Sequence, residues 1–177
     1  MIDTVAPRVR VTGIWWRITR ARSSPLEWTP EPADGRWQRG EIVRALYLAD
    51  SEATAWAEWY RHSAELGVPP QMRLPRDLWR LDVDLEQVAD LTADGVLAGH
   101  GIARLNPTRG QWQRTQPIGE AYWGAGATGV LVPSAAQTAG RVLAVFRTTN
   151  RPIGGVKPVR PARHYAELPA LPVGLRT

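Results

Sequence analysis

Four side chains are candidates for chemistry because each lies in a loop or at the border of a predicted element, where a rigid scaffold usually presents its reactive groups. They are Arg36, Tyr47, Glu58 and Ser134. A guanidinium can clamp an anion, a carboxylate can stabilise positive charge, an aromatic face can stack on a flat cation, and a hydroxyl can donate a hydrogen bond. Each residue also has a purely structural explanation: a loop surface charge, a core aromatic, a solvated helix residue and a turn residue after proline. Residue type alone therefore leaves their roles open.

The N-terminal elements place the first two candidates. Residues 14–20 are rich in aromatic and β-branched side chains, which predicts a strand. Residues 23–40 contain too many prolines and glycines for a regular element, so Arg36 falls in a long loop. Residues 45–49 then predict a short buried strand that contains Tyr47.

A helix follows, capped by Asp50 or Ser51 and ending near Leu66, before Gly67. Its predicted core stripe follows the i, i+3, i+4, i+7 spacing and consists of Ala53, Trp56, Ala57 and Tyr60. Glu58 lies one residue past Ala57, about 100° round the helix, at the border of this stripe. A site carboxylate can occupy such a border.

The remaining elements predict one mixed α+β domain with a central mixed or antiparallel β core and short flanking helices. Ser134 follows the strand that Pro133 stops, and residues 95–112 are expected to be irregular. The predicted elements are strands over 78–83, 128–134 and 141–147 and short helices over 84–91 and 120–126. Residues 1–150 form the expected domain, and 151–177 a proline-rich basic extension, either part of it or an extended tail wrapped around it.

Composition excludes several functional classes. The chain of 177 residues has no cysteine and three scattered histidines, so thiolate metal sites, a Cys nucleophile and a zinc site are not expected. Residues 124–129 fit the letters of a dinucleotide-binding glycine motif, but they precede a strand where that motif must follow one. No long apolar run or signal pattern occurs, so we expect a soluble, intracellular protein without a membrane span.

The net charge of +5 is concentrated at the two ends. Residues 1–22 carry five arginines against Asp3, residues 151–177 carry five basic side chains against Glu167, and the middle is net acidic. A basic stripe through the folded body is not supported, so direct nucleic-acid binding is not expected.

The order of four short motifs resembles the RES domain family over about residues 14–147. The motifs are Asp34-Gly35-Arg36-Trp37, Val43 to Ser51, Ala55-Trp56-Ala57-Glu58 and Gly129 to Ala135. The best-known members are bacterial toxins encoded beside an antitoxin with an Xre-like helix-turn-helix. The resemblance implies an ADP-ribosyltransferase-like fold that binds NAD⁺ as its substrate, and no metal.

By position, the resemblance implies that Glu58 and Arg36 are catalytic. Glu58 would stabilise the oxocarbenium-like ribose or hold a ribose hydroxyl, and Arg36 would clamp the pyrophosphate or ribose oxygens. Tyr47 would stack on nicotinamide, and Ser134 would donate a hydrogen bond to the cofactor's phosphate or ribose. Arg17 is a second candidate anion contact, with a strand-surface role as the alternative.

The resemblance also implies a cytoplasmic toxin and a partner, the cognate Xre-like antitoxin, while oligomeric state stays open. Trp28 and Trp37 fall in loop sequence and are expected to be exposed, marking a partner or ligand surface, with Trp37 as an additional neighbour of nicotinamide.

Three functions remain open at this point. The first is an NAD⁺-degrading toxin, a glycohydrolase if water is the acceptor and a phosphorylase if phosphate is. The second is a protein mono-ADP-ribosyltransferase, and the third is a non-catalytic binding module whose basic ends contact an acidic partner or nucleic acid.

Overall fold

Six strands form one mixed sheet in the computed structural model, which describes residues 5–151 and 153–176. The strands are β1 (Arg8–Arg20), β2 (Arg44–Ala49), β3 (Arg76–Asp90), β4 (Gly129–Pro133), β5 (Arg141–Arg147) and β6 (Val156–Tyr165). The helices are α1 (Glu52–Glu65), α2 (Val96–Gly99) and α3 (Trp112–Gly124), with 3₁₀ turns at Pro70–Arg73 and Arg109–Gln111. The expected α+β class is therefore confirmed. Met1 to Thr4 at the basic N-terminal end, and Pro152 and Thr177 in the expected extension, lie outside the described residues.

Five of the strands close into a ring. β1 pairs with β2 and β3, and β5 and β4 join β2 to the C-terminal end of β3. The β3–β4 pairing is parallel and the others are antiparallel. β6 pairs with residues 76–83 of β3, on the edge that β4 occupies further along that strand.

Two buried clusters line the two faces of this ring. The cluster inside it draws apolar side chains from all five strands, including Trp15, Leu46, Leu81, Leu131 and Leu143. The outer cluster lies between the sheet, α3 and the loops, and contains Val130, Ala144, Ile118 and Tyr122. Because successive side chains of a strand point to opposite faces, Leu46 packs inside the ring while Tyr47 faces the outer cluster.

The helix expected over residues 84–91 is wrong, because these residues continue β3 to Asp90. Gln87 has a φ of 59°, which interrupts the alternation of the strand. As a result Leu85, Val88 and Ala89 are all buried while Glu86 and Gln87 are exposed. This spacing imitates the i, i+3, i+4 pattern of a helix face.

Two helix predictions need correction. α3 begins at Trp112, not Glu120, and continues through Pro117, since Thr115 and Gln116 ahead of the proline are anchored by tertiary hydrogen bonds. Within α1, Ala53 is exposed although it belongs to the predicted core stripe. The buried face of α1 instead extends to Trp59 and Ser63.

Within the proline-rich C-terminal stretch, residues Val156–Tyr165 form strand β6. The strand predictions over 14–20, 45–49, 78–83 and 141–147 are confirmed, and the strand predicted over 128–134 corresponds to β4. Ser51 caps α1 by accepting from the Thr54 amide. Within the described residues, no helix is long and apolar enough to cross a membrane.

Candidate functional site

Arg36 lies in a tight turn built on Gly35. The Gly35 amide donates to the Gln38 carbonyl at 2.9 Å, which closes a four-residue turn with Arg36 and Trp37 in the middle. A Cβ on Gly35 would lie 2.3 Å from the Tyr47 hydroxyl oxygen, so the turn can wrap this tyrosine only because residue 35 has no side chain.

Helix α3 holds this turn from the other side. Thr115 Oγ1 donates to the Arg36 carbonyl at 2.5 Å, and Gln116 Nε2 donates to the Gly35 carbonyl at 3.0 Å. The α3 backbone approaches so closely at Gly119 that a Cβ there would lie 2.0 Å from the Trp37 carbonyl oxygen. The backbone of Arg36 is thus fixed by a helix whose contacting residue, Thr115, lies 79 positions further along the chain.

The Arg36 guanidinium is buried and incompletely paired. Its side chain belongs to a residue only 7% exposed. Nη2 donates to the Thr108 carbonyl at 3.4 Å, while the buried Nη1 has no hydrogen-bond partner among the described residues. Burial, and then the positive charge of Arg61, lower the pKa of Arg36. A buried cation with a free donor is a natural contact for an anion.

Glu58 is oriented through both carboxylate oxygens. Oε1 accepts from the Ser134 hydroxyl at 2.6 Å and Oε2 accepts from Arg61 Nε at 2.9 Å. The side chain is 23% exposed, so it lies at the border of the buried face, as predicted. A carboxylate has about four acceptor positions, and two are still available to a ligand here.

Ser134 has its hydrogen-bonding capacity fully used. The residue is 1% exposed, and its hydroxyl oxygen accepts from the amides of Ala136 at 3.1 Å and Gln137 at 2.9 Å. A hydroxyl has one hydrogen and two acceptor positions, so the hydrogen is left for Glu58. The expected bond from Ser134 to the cofactor stays a prediction, while in this structure the hydroxyl orients the carboxylate.

A chain of charged side chains extends from Glu58 along α1. Arg61 also pairs with Glu65 one turn further on, and its Nη1 donates to the Pro107 carbonyl at 2.9 Å. Arg109 lies 3.6 Å from Glu65. Both Arg36 and Arg61 therefore hold backbone carbonyls of the segment that precedes α3.

The Tyr47 hydroxyl forms two hydrogen bonds with the turn that carries Arg36. It donates to Gln38 Oε1 at 2.6 Å and accepts from the Trp37 amide at 3.1 Å. Burial raises the pKa of Tyr47, so the phenol stays protonated, and the charges of Arg36 and Glu58 act on it. The stacking of its ring on nicotinamide stays a prediction.

Arg17 lies beside β2, with Nη1 donating to the Tyr47 carbonyl at 3.1 Å. Its buried Nε has no partner among the described residues. Burial, followed by the charge of Arg147, lowers the pKa of Arg17 to about 10. This environment differs from a simple strand surface, and the anion contact stays a prediction.

The expectation of exposed loop tryptophans is wrong for Trp37, which is 1% exposed and packs in the outer cluster. Its place beside nicotinamide stays a prediction. Trp28 is half-buried, with the guanidinium carbons of Arg44 and Arg147 lying 3.9 and 4.8 Å from its ring centroid. Tertiary packing thus covers Trp37 fully and Trp28 in part.

The structure brings the four candidates into one site. A hydrogen bond joins Ser134 to Glu58, and the charge of Glu58 acts on the pKa of both Arg36 and Tyr47. Sequence reasoning missed the supporting residues Arg61, Gln38, Thr115 and Gln116. Only Arg61 had a visible signal, because it stands between Glu58 and Glu65 at i,i+3 and i,i+4 helical spacing. No group of side chains able to hold a metal ion occurs within the described ranges.

The sequence and the fold match known proteins. The model of the RES domain family matches residues 14–167. The protein named "Probable NAD(+) phosphorylase Rv3189" from Mycobacterium tuberculosis is 33% identical over 143 residues, covering 80% of this chain and 68% of that protein. "NAD(+) phosphorylase MbcT" from Mycobacterium bovis is 30% identical over 120 residues, covering 67% and 64% respectively. The chain thus spans about two thirds of the length of these relatives.

A chain from the crystal structure of the Mycobacterium tuberculosis MbcT–MbcA toxin–antitoxin complex has the same fold. The TM-score is 0.72 at 24% sequence identity, and the match covers 90% of this chain and 87% of the other.

Proposed function

Because the chain belongs to the RES domain family, we propose that it cleaves the nicotinamide–ribose bond of NAD⁺ and transfers the ADP-ribose to inorganic phosphate. The observation that carries this proposal is the carboxylate of Glu58, oriented through both of its oxygens next to a buried arginine with a free donor. Relatives that bear the name NAD(+) phosphorylase support the choice of phosphate as the acceptor.

Glu58 has the main electrostatic role in this mechanism. Departure of nicotinamide leaves positive charge on the ribose, as in glycoside hydrolysis, and a fixed carboxylate stabilises that charge. Ser134 and Arg61 hold the two oxygens, so little reorganisation is needed when the charge develops. An acceptor oxygen of phosphate bonds to the ribose carbon while the bonding electron pair leaves with neutral nicotinamide.

Arg36 would bind the pyrophosphate or a ribose oxygen of NAD⁺. Its unpartnered Nη1 and planar guanidinium suit a charged oxygen better than a lysine would. Tyr47 would present its aromatic face to the cationic nicotinamide ring, with Gln38 and the Trp37 amide holding its hydroxyl. Arg17 would be a second contact to the anionic part of NAD⁺.

The biological role we propose is that of a cytoplasmic toxin held inactive by an antitoxin with an Xre-like helix-turn-helix. The structural neighbour solved as a toxin–antitoxin complex supports an antitoxin as the partner. An enzyme that depletes NAD⁺ requires such control in the cell that makes it.

The test is nicotinamide release from NAD⁺ by the purified protein, with and without phosphate, with product identification by phosphorus NMR. We expect phosphate-dependent release and a new phosphate monoester on ADP-ribose. Release without phosphate would replace the phosphorylase by a glycohydrolase. Transfer of label from NAD⁺ to a protein would indicate a transferase, and no release or transfer would leave a non-catalytic binding module.

A further inference from the structure

The C-terminal segment after β6, residues 168–176, returns to the helix that carries Glu58. Leu168 and Leu175 pack against an aromatic cluster on α1 formed by Trp56, Trp59 and Tyr60. The Tyr60 hydroxyl donates to the Pro169 carbonyl at 2.9 Å. The segment therefore covers part of α1 that the sheet leaves free.

The same segment pairs with the loop that carries Ser134. Gln137 Nε2 donates to the Val173 carbonyl at 2.8 Å, and the Thr138 amide donates to the Gly174 carbonyl at 3.1 Å. The Leu175 amide donates to the Pro172 carbonyl at 3.2 Å, and Gly174 has a φ of 84° in that turn. A glycine is favoured there because other residues rarely adopt this conformation.

Arg176 contacts three carbonyls of the Ser134 loop. Its amide donates to the Ala136 carbonyl at 2.7 Å, and Nη2 donates to the carbonyls of Ser134 and, at 3.4 Å, Gln137. The Ala136 carbonyl and the Gln137 amide belong to one peptide plane. The main-chain amide of residue 176 thus donates to one side of that plane, and the Ser134 hydroxyl accepts from the other side. The Arg176 guanidinium holds the Ser134 and Gln137 carbonyls, which lie before and after this plane in the chain.

This peptide plane connects the C-terminus to the carboxylate. Because amides of Ala136 and Gln137 occupy the acceptor positions of the Ser134 hydroxyl, its hydrogen is directed at Glu58. Moving the plane would turn the hydroxyl and release Oε1 of Glu58.

We infer that Arg176 is a positioning residue for the proposed site: it fixes the 134–137 loop so that Ser134 orients Glu58. The inference rests on the proposed function for its catalytic consequence, but the hold on the loop is independent of that function.

The experiment compares Arg176→Ala in the full-length chain with Arg163→Ala, a matched control in β6 whose exposed guanidinium pairs with Glu52. Hydrogen exchange measures the hold on the loop directly. Arg176→Ala keeps the backbone bond to the Ala136 carbonyl but removes the guanidinium donor to the Ser134 and Gln137 carbonyls. It should therefore accelerate exchange of the amides of 136 and 137, and Arg163→Ala should not. Unchanged exchange at these amides would overturn the inference, whether or not the protein cleaves NAD⁺.

Steady-state kinetics measure whether the change at residue 176 affects the catalytic role proposed for Glu58. We expect Arg176→Ala to lower kcat for nicotinamide release about 10- to 100-fold, because small misplacement of a catalytic group has effects of that order, with little change in KM for NAD⁺. Arg176→Lys, which keeps a cation that can donate to the Ser134 and Gln137 carbonyls, should recover part of the loss.

A double-mutant cycle separates positioning from a general loss of structure. In a Ser134→Ala background, Arg176→Ala should cause little further loss of kcat, because the two residues act on Glu58 in series. Fully additive losses would overturn the inference. A wild-type protein that releases no nicotinamide would refute the proposed function, and the exchange result would then decide the hold on the loop by itself.

Discussion

The Ser134 hydroxyl donates its one hydrogen to Glu58, so in this structure the serine contacts the candidate carboxylate. Sequence reasoning assigned the hydroxyl to the cofactor, whereas the structure gives it a carboxylate partner and two amide donors. A serine used in this way has no hydrogen to share with a ligand unless Glu58 moves. The electrostatic role that we propose then rests on Glu58 itself.

Glu58→Gln should lower kcat for nicotinamide release about 100-fold or more, since removal of a preorganised electrostatic group has effects of that size. The amide can still accept from Ser134 but does not supply the negative charge. Steady-state nicotinamide release measures the loss. Glu86→Gln, an exposed residue of β3, is the control, and equal activities of the Glu58 variant and the wild type would contradict the assigned role.

Tyr47→Phe should lower the free energy of unfolding by about 1–3 kcal/mol, the usual cost of leaving buried polar groups unpaired. The change removes the acceptor of the Trp37 amide and the donor to the 1% exposed Gln38. Urea denaturation at neutral pH measures the difference. Tyr165→Phe, with a partly exposed hydroxyl bound to Glu52, should cost less.

Tyr47 also predicts a dependence on alkaline pH. Burial raises the pKa of Tyr47 in the folded protein above its ordinary value of 10.0, so the folded state retains the proton more strongly than the unfolded state. The resulting stabilisation is complete below pH 10 and decreases as the pH rises further. The Phe variant should lose less stability than the wild type between pH 8 and 11.

At the scale of elements, the site depends on contact between α3 and the Arg36 turn. Thr115, Gln116 and Gly119 lie on successive parts of α3 that face this turn. Two elements separated by more than 70 residues in sequence thus position one guanidinium. A change in α3 should therefore act on substrate binding.

Gly119→Ala should destabilise the protein and raise KM for NAD⁺. The substitution improves helix propensity by about 1 kcal/mol, but the new Cβ would lie 2.0 Å from the Trp37 carbonyl oxygen, which requires a backbone shift. Overpacking of this kind typically costs about 1–3 kcal/mol. Thermal unfolding and steady-state kinetics measure both effects.

Gly124→Ala is the matched control in the same helix. Nothing lies within 4 Å of a Cβ added at Gly124, so this variant should be neutral or slightly stabilised. If both variants behaved alike, close approach of α3 to the Trp37 carbonyl would not be what limits residue 119.

At the scale of the whole molecule, a chain of hydrogen bonds ties the N-terminal segment to α3 and to the end of α2. The Ala6 amide donates to the Tyr122 hydroxyl at 2.9 Å, and that hydroxyl lies 2.9 Å from His100 Nε2. The phenol can donate to Nε2 only when the imidazole is neutral. Burial lowers the pKa of His100, in agreement with that state.

The protein should therefore lose stability as the pH falls below about 6.5, the ordinary value of histidine. The folded state binds fewer protons at His100 than the unfolded state, so its stabilisation is present above this pH and is lost on acidification. Urea denaturation between pH 7.5 and 5 measures the slope. His100→Gln should reduce the slope, and His62→Gln should do so separately, because burial also lowers the pKa of His62. An unchanged slope in the His100 variant would contradict the prediction.

Much of the fold could be predicted from the sequence because local patterns decide it. Alternation and β-branched content predicted most strands, the Ser51 cap and the glycine after Leu66 bounded α1, and the motif order identified the family. Where the local pattern was ambiguous, the prediction failed. A left-handed residue at Gln87 gave a strand the spacing of a helix, and Pro117 concealed the first half of α3.

The candidate site residues were proposed from the sequence, since their types and order carry the family resemblance. Which groups hold them followed only in part, because several of the partners come from distant parts of the chain: Thr115 for Arg36, Ser134 for Glu58, and the C-terminal segment for the loop that carries Ser134. Hydrogen bonds and close backbone contacts between such segments leave no periodic pattern in a sequence. Only the tertiary structure could decide that Trp37 is buried, that Ser134 orients Glu58, and that Arg176 contacts the loop that carries Ser134.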